Sequence, residues 1–122
     1  MSNTAFDSNS NPIFVAASAN TIVATAKLAV SGRTAHKVLL IGEFSFEGTF
    51  VNGYVVGDIQ VDGNTFLNTQ INNVSGTTGA IVTVTGIVTV RPGKKHTFDL
   101  RAYTNTNNVS VHHRALSVVD LK

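Results

Sequence analysis

The chain has 122 residues and a mass of 12.9 kDa, a size that fits one domain. Charged residues make up 13%, about half the usual quarter, and the net charge is only +2. No cysteine is present, which excludes disulfides, thiolate metal sites and Cys nucleophiles. The few bases form no dense stripe with interleaved aromatics, so no nucleic-acid partner is expected.

Residues 1–12 are polar and rich in Asn and Ser, and they read as an N-terminal arm ahead of a domain over 13–122. The arm is either a flexible lead or a segment that docks on a neighbouring subunit, with Phe6 as its one large apolar residue. It has neither the basic nor the apolar region of a secretory signal, so no export address is expected. No apolar run approaches the roughly 20 residues that span a bilayer, and no membrane partner is expected.

Val, Ile and Thr total 39 residues against 7 Leu, a balance that favours strands. The first expected strand is Ile13 to Ala17. Thr21 to Val30 follows, with Ile22, Ala24, Ala26 and Leu28 on one face. His36 to Phe46 is next, and its centre, Val38-Leu39-Leu40-Ile41, is apolar on both faces, as in a strand covered on both sides. Asn52-Gly53 reads as a turn, Tyr54 to Val61 as a strand, and Asp62-Gly63 as a second turn.

Thr65 to Ile71 is a weaker strand, and NNVSGTTG after it reads as a loop. From Ala80 to Val90 the alternation is nearly perfect. Val82, Val84, Val88 and Val90 share one face with Gly86, while Thr83, Thr85 and Thr89 take the other. Pro92-Gly93 supplies the centre of a type II turn. His96, Phe98, Leu100 and Ala102 then point inward, and Thr97, Asp99, Arg101 and Tyr103 outward. After the loop TNTNN, Val109 to Leu121 closes the chain. About eight strands at spacings of roughly 8 to 14 residues, with no helical period, indicate an all-β, single-domain antiparallel sandwich.

Several strands carry apolar residues on the wrong face. Ile81 and Ile87 share a face with the Thr row. In the last strand Val109 and Val111 are in one phase, Leu116 and Val118 in the other. A bulge near Arg114 would switch the phase. Alternatively, both faces are buried, the second against another subunit, and the low charge content favours this. Ile81, Ile87, Leu116 and Val118 are therefore the candidate subunit interface of a homo-oligomer.

The C-terminal third carries a cadence of its own: GIVTVRPGKKHTFDLRAYTNTNNVSVHHRALSVVDLK. A strand ends at Val90, Arg91-Pro92-Gly93 turns, His96-Thr97 opens an inward-facing strand, and RALSVVDL closes the run. This resembles the last strands of compact jelly rolls of the C1q/tumour-necrosis-factor-like type, as found in bacteriophage virion and bacterial surface proteins. Asp58 to Gly63 resembles the mid-domain hairpin of such domains. The resemblance covers residues 50–122. It implies a jelly roll of about eight to ten strands that assembles as a homotrimer around a three-fold axis. The chain departs from the eukaryotic branch in having fewer aromatics and no collagen-like stalk. What remains is a structural virion protein, a capsid decoration or tail-associated piece assembled in the host cytoplasm. Its partners would be itself and other virion proteins. A bacterial cell or spore surface, with surface-layer partners, is the alternative setting.

Reactive chemistry is sparse. Neither a phosphate-binding glycine loop nor a G-x-S-x-G elbow occurs. Glu43 and Glu47 read as solvated rim carboxylates. His112-His113 is the most tempting pair, but neighbours on a regular strand face opposite ways and cannot chelate one ion. His36 and His96 are isolated in sequence. Asp58 and Asp62 would permit a calcium site, although an Asx turn explains Asp62 more simply. No catalytic, cofactor-binding or metal residue is assigned, and no enzyme activity or cofactor is expected. Jelly rolls often bind sugars, so a lectin-like module for a host glycan is the second functional expectation. Arg101, Tyr103, Asn105 and Asn107 are its candidate ligand loop, with Tyr54 and Asn108 nearby.

Overall fold

The computed structural model describes residues 4–106 and 109–122, with the backbone alone at residues 51, 52 and 72–78. Among the described residues are seven strands: β1 (Thr4–Asn9), β2 (Ile13–Val15), β3 (Thr21–Ala29), β4 (His36–Val61), β5 (Asn64–Val90), β6 (Lys95–Thr104) and β7 (Val109–Asp120). All of their pairings are antiparallel. β4 and β5 form one long hairpin closed at Asp62-Gly63. Both turn residues have positive φ, 51° and 86°, as a two-residue I′ turn requires.

The hairpin belongs to two sheets. Residues 36–50 of β4 pair with β7 on one side and with residues 76–90 of β5 on the other. β1 and β2 both line the far edge of β7, which completes the first sheet. Residues 55–61 of β4 pair with β6 and with residues 64–71 of β5, and β3 joins the far edge of β6, giving the second sheet. Because β4 and β5 each count in both sheets, the sandwich has nine strand segments, and the fold is an antiparallel jelly-roll sandwich.

This arrangement corrects three expectations. Asn52-Gly53 is not a chain reversal. The β4–β5 register slips between Phe50 and Val55, and the hairpin passes there from one sheet to the other. The stretch read as the loop NNVSGTTG stays in the hairpin, with Gly48, Thr49 and Phe50 opposite Thr78, Thr77 and Gly76. Residues 4–9 of the expected arm are a strand of the first sheet, paired with β7 from Thr4↔Val119 to Asn9↔Arg114.

Bulges settle which residues are core. On β7 the register passes from Phe46↔Val111 to Phe44↔Arg114, so His112 and His113 together oppose Ser45. The inward phase shifts there. Val109 and Val111 are inward before the bulge, and Leu116 and Val118 are inward after it, all of them buried within this one chain. Leu116 and Val118 are therefore sandwich core and not a subunit interface; the bulge explains the phase change. Arg114 is buried at the same place. Its Nη1 donates to the carbonyls of Asn11 and His112, tying the bulge to the β1–β2 connection. On β3 a second bulge at Val23 leaves Ile22 exposed instead of aligned with Ala24, Ala26 and Leu28.

The inner rows fill the space between the sheets. Phe44, Phe98, Leu40, Leu100 and Ile59 are fully buried, and Phe46 meets Phe50 edge-on at 5.8 Å. Each such side chain contributes on the order of 1.5 to 3 kcal/mol of burial. Val82, Val84, Val88 and Val90 are inward as the alternation of β5 predicts, and β6 alternates without a break. The turn at Pro92-Gly93 has the positive φ at glycine that a type II turn needs, 96°.

Candidate functional site

The outer face of the first sheet carries several exposed apolar side chains. The register places Val119 of β7, Leu39 of β4 and Ile87 of β5 in one row. The next row is Phe6 of β1, Ser117, Ile41 and Thr85. Neither row contains a charge. Ile87 is 57% exposed and Ile81 is 64% exposed, with Phe6 and Ile41 also open to water. Val38 and Leu40 point to the core, but Ile41 does not, so the centre of β4 is covered on one side only within a single chain. Period-two alternation forces the split: one phase of β4 and β5 makes the core, and the other makes this face. Contiguous apolar surface of this kind favours association over exposure.

Ile81 and Ile87 lie on this face as the sequence suggested. Phe6, read from the sequence as the apolar residue of a docking arm, and Leu39 and Ile41, read as part of a strand covered on both sides, join them without having been named as interface; Val119 was missed. For Leu39 and Ile41 the signal was present, because they share the outward phase of Lys37 and Glu43 on β4. For Val119 it was hidden by the β7 bulge.

One end of the face is polar. The bulge turns both histidines of the His112-His113 pair onto the outer side, contrary to the geometry of a regular strand. His112 Nε2 lies 2.9 Å from Glu47 Oε1, and His113 Nε2 lies 3.3 Å from Glu43 Oε1. The His113 amide donates to Ser45 Oγ at 3.0 Å. The two glutamates and two histidines singled out separately thus form one cluster of two pairs. Exposed pairs of this kind contribute little to stability. Among the described residues, no group of three or more His, Asp or Glu side chains is placed to hold one metal ion.

Of the candidate ligand residues, Arg101 and Tyr103 sit on the outer face of the second sheet. Both belong to β6, not to a loop, and of the described candidates only Asn105 follows the strand. Arg101 grips Asp58 with two hydrogen bonds, Nε to Oδ1 at 2.8 Å and Nη2 to Oδ2 at 2.6 Å. The Asp58 hydrogen bond, backed by the Asp58 and Asp99 charges, raises the guanidinium pKa above its ordinary value despite burial. Tyr103 stacks on Tyr54 with centroids 6.1 Å apart. The hydrogen bond to Tyr103, then burial, raises the Tyr54 hydroxyl above its usual range. Asn105 Oδ1 accepts from the Tyr54 amide at 2.9 Å. These groups bind one another, which leaves little for a ligand. Asn107 and Asn108 lie outside the described residues.

The other two histidines are not isolated in space. His36 Nδ1 meets Asp120 at 2.8 Å, closing the C-terminal end of β7. Burial works to raise the Asp120 pKa, but the His36 hydrogen bond, the Lys122 amide and the charges of both residues hold it below the ordinary value. His96 Nδ1 meets Asp62 Oδ2 at 2.6 Å, and its Nε2 meets the Arg91 carbonyl at 2.6 Å. Asp58 and Asp62, once weighed as calcium ligands, are thus engaged by Arg101 and His96.

No protein-family model matches the chain, and no curated protein matches it in sequence. Its fold is similar to part of dimeric latent PorU from Porphyromonas gingivalis, with a TM-score of 0.52 and 10% identity, over 98% of this chain and 13% of that one. It is also similar to a chain in the structure of infectious bursal disease virus Gt strain, with a TM-score of 0.53 and 14% identity, over 98% of this chain and 32% of that one. This chain therefore spans about a third or less of either protein. The C-terminal CBM6 of LamC from Zobellia galactanivorans overlaps at a TM-score of 0.36 and 15% identity, over 95% of this chain and 98% of that one, too loosely to carry an argument. At these identities the likeness is one of fold.

Proposed function

We propose that the chain is a non-enzymatic structural protein that assembles with copies of itself through the outer face of the first sheet. The observation that carries this reading is the pair of charge-free rows crossing β7, β4 and β5, with Ile87 more than half exposed. A second copy covering Leu39, Ile41, Ile87 and Phe6 removes that surface from water without stranding a charge. The resemblance of residues 50–122 to C1q/tumour-necrosis-factor-like jelly rolls supports three copies about a three-fold axis. It also supports a place in a phage virion, as a capsid decoration or tail-associated piece. The fold similarity to a chain of the infectious bursal disease virus structure accords with a particle setting.

Light scattering on the purified chain tests the assembly. About three times 12.9 kDa is expected, and a monomer at micromolar concentration overturns the reading. Mass spectrometry of particles purified from the source culture tests the virion placement. A fixed copy number is expected, and absence from the particles overturns that placement.

A further inference from the structure

Where the β4–β5 turn meets the turn between β5 and β6, a cavity of about 350 Å³ opens at one end of the sandwich, remote from the polar end of the first sheet. Its walls include Phe66, Asn64, Arg91 and Lys94, and its floor is the Asp62–His96 pair. Three features of these residues are unexplained by folding.

Phe66 is 55% exposed although it lies within a strand. The register passes from Ile59↔Leu67 to Gln60↔Thr65, so Phe66 is the extra residue of a bulge. Bulges re-aim side chains, and this one turns an aromatic ring into the cavity wall while Leu67 packs on the core.

Arg91 is exposed, and its guanidinium has no hydrogen-bond or ion-pair partner among the described residues; only its carbonyl is used, by His96. Lys94 is held loosely, with Nζ 3.7 Å from Asp62 Oδ2. The one carboxylate in the cavity is already committed. Asp62 accepts from His96 at 2.6 Å and from the Thr97 amide at 2.9 Å. Both ring nitrogens of buried His96 face acceptors, so the floor is fixed from below. The cavity is left with uncompensated positive charge at its rim.

The Asn64 side chain is exposed beside Phe66 and makes no hydrogen bond among the described residues. A flat apolar ring, a guanidinium fork and an amide offering both donor and acceptor are the groups that bind a charged sugar. The ring stacks on the C–H face of a pyranose, Arg91 takes a carboxylate or sulfate through two parallel bonds, and Asn64 takes a hydroxyl. A cavity of this size sits at the small end of ligand sites and suits one or two sugar units.

We infer that this cavity binds an anionic saccharide, with Phe66 as the stacking platform and Arg91 as the anion clamp. The site lies within one chain and does not depend on the assembly reading. It is also distinct from the Arg101–Tyr103 region, whose groups are satisfied internally.

The test is titration calorimetry on the full chain with three tetrasaccharides: a glucuronate-containing one, a sulfated one and neutral cellotetraose. Saturable binding of an anionic probe is expected, about tenfold or more tighter than the neutral one. The preferred probe tells carboxylate from sulfate. Phe66→Ala and Arg91→Ala should each weaken binding about tenfold while the thermal midpoint stays unchanged, since both side chains are exposed. Lys95→Ala removes a charge at the start of β6, next to the same turn but outside the cavity, and should change binding little. Three results would each overturn the inference: no saturable binding of either anionic probe, equal binding of the neutral probe, or a Lys95→Ala loss as large as that of Arg91→Ala.

Discussion

Leu67 lies directly over Gly86: a Cβ on residue 86 would stand 2.6 Å from Leu67 Cδ2 and 2.7 Å from Cδ1. The two residues belong to the same strand, β5, but to opposite sheets. Gly86 interrupts the inward row of Val82, Val84, Val88 and Val90, and the missing side chain is the notch that Leu67 fills. The strand is thereby locked against itself across the sandwich. Its course from one sheet to the other is fixed by packing as well as by the β4 register.

Gly86→Val should destabilise the fold by about 1 to 3 kcal/mol, because the contact is overpacked and Leu67 must leave a good rotamer. Pairing it with Leu67→Ala should recover part of the loss, since the smaller side chain vacates the notch. Urea unfolding of the two single variants and the double variant measures this coupling. Strict additivity would show that the two side chains do not share the space.

At Gly93 the cost is of another kind. No atom lies within 4 Å of an added Cβ, so only the backbone, at φ 96°, resists a side chain. Gly93→Val should cost roughly 1 kcal/mol or more, and Gly93→Asn less, because Asn tolerates the left-handed region. Equal urea midpoints for Gly, Asn and Val would mean that the turn relaxes to a different geometry.

Both turns and the alternation of β5 and β6 were legible because each is local. Asp62-Gly63, Pro92-Gly93 and the Val82–Val90 row need only neighbours in sequence. The bulges at Val23 and at Phe66 were not, since a bulge is a relation between two strands and leaves the residue types unchanged; the one at His112-His113 showed only as the phase change of the last strand, which a second buried face would also have explained. One such shift moved Leu116 and Val118 from a supposed interface into the core. The same shift brought His112 and His113 to one face. The His36–Asp120 and His96–Asp62 pairs were hidden for the same reason, their partners being 84 and 34 residues away.

The Asp62–His96 pair makes stability depend on pH in a stated direction. Burial works against the ionised carboxylate of Asp62, yet the His96 hydrogen bond, the Thr97 amide and the charges of His96 and Lys94 hold its pKa below the ordinary value. A carboxyl depressed on folding stabilises the protein above its unfolded pKa, about 3.9, and that contribution is lost as pH falls through the lower folded value. Asp62→Asn retains a residue that accepts the positive φ of the turn. It should lower the urea midpoint at pH 7, and the gap to wild type should close below about pH 4. A gap that persists unchanged into strong acid would show that the charge on Asp62 contributes nothing.

The two faces of β5 over residues 80–90 should separate folding from assembly. Val84 is 1% exposed and packs between the sheets, whereas Ile87 is more than half exposed and lies in the charge-free row with Leu39 and Val119. Val84→Ala should lower the stability of each chain by about 1 to 3 kcal/mol, from lost burial and the cavity it leaves. Ile87→Lys should leave the fold of the single chain nearly intact, since a lysine at that position is solvated in the monomer. In an assembly joined through this face, the same ammonium would be buried opposite apolar groups with no carboxylate to pair with, and its desolvation would outweigh the contact. Light scattering should then show a drop to the single-chain mass with an unchanged circular dichroism spectrum. An intact oligomer carrying Lys at position 87 would place that side chain in water, and the surface that joins the copies would have to lie elsewhere.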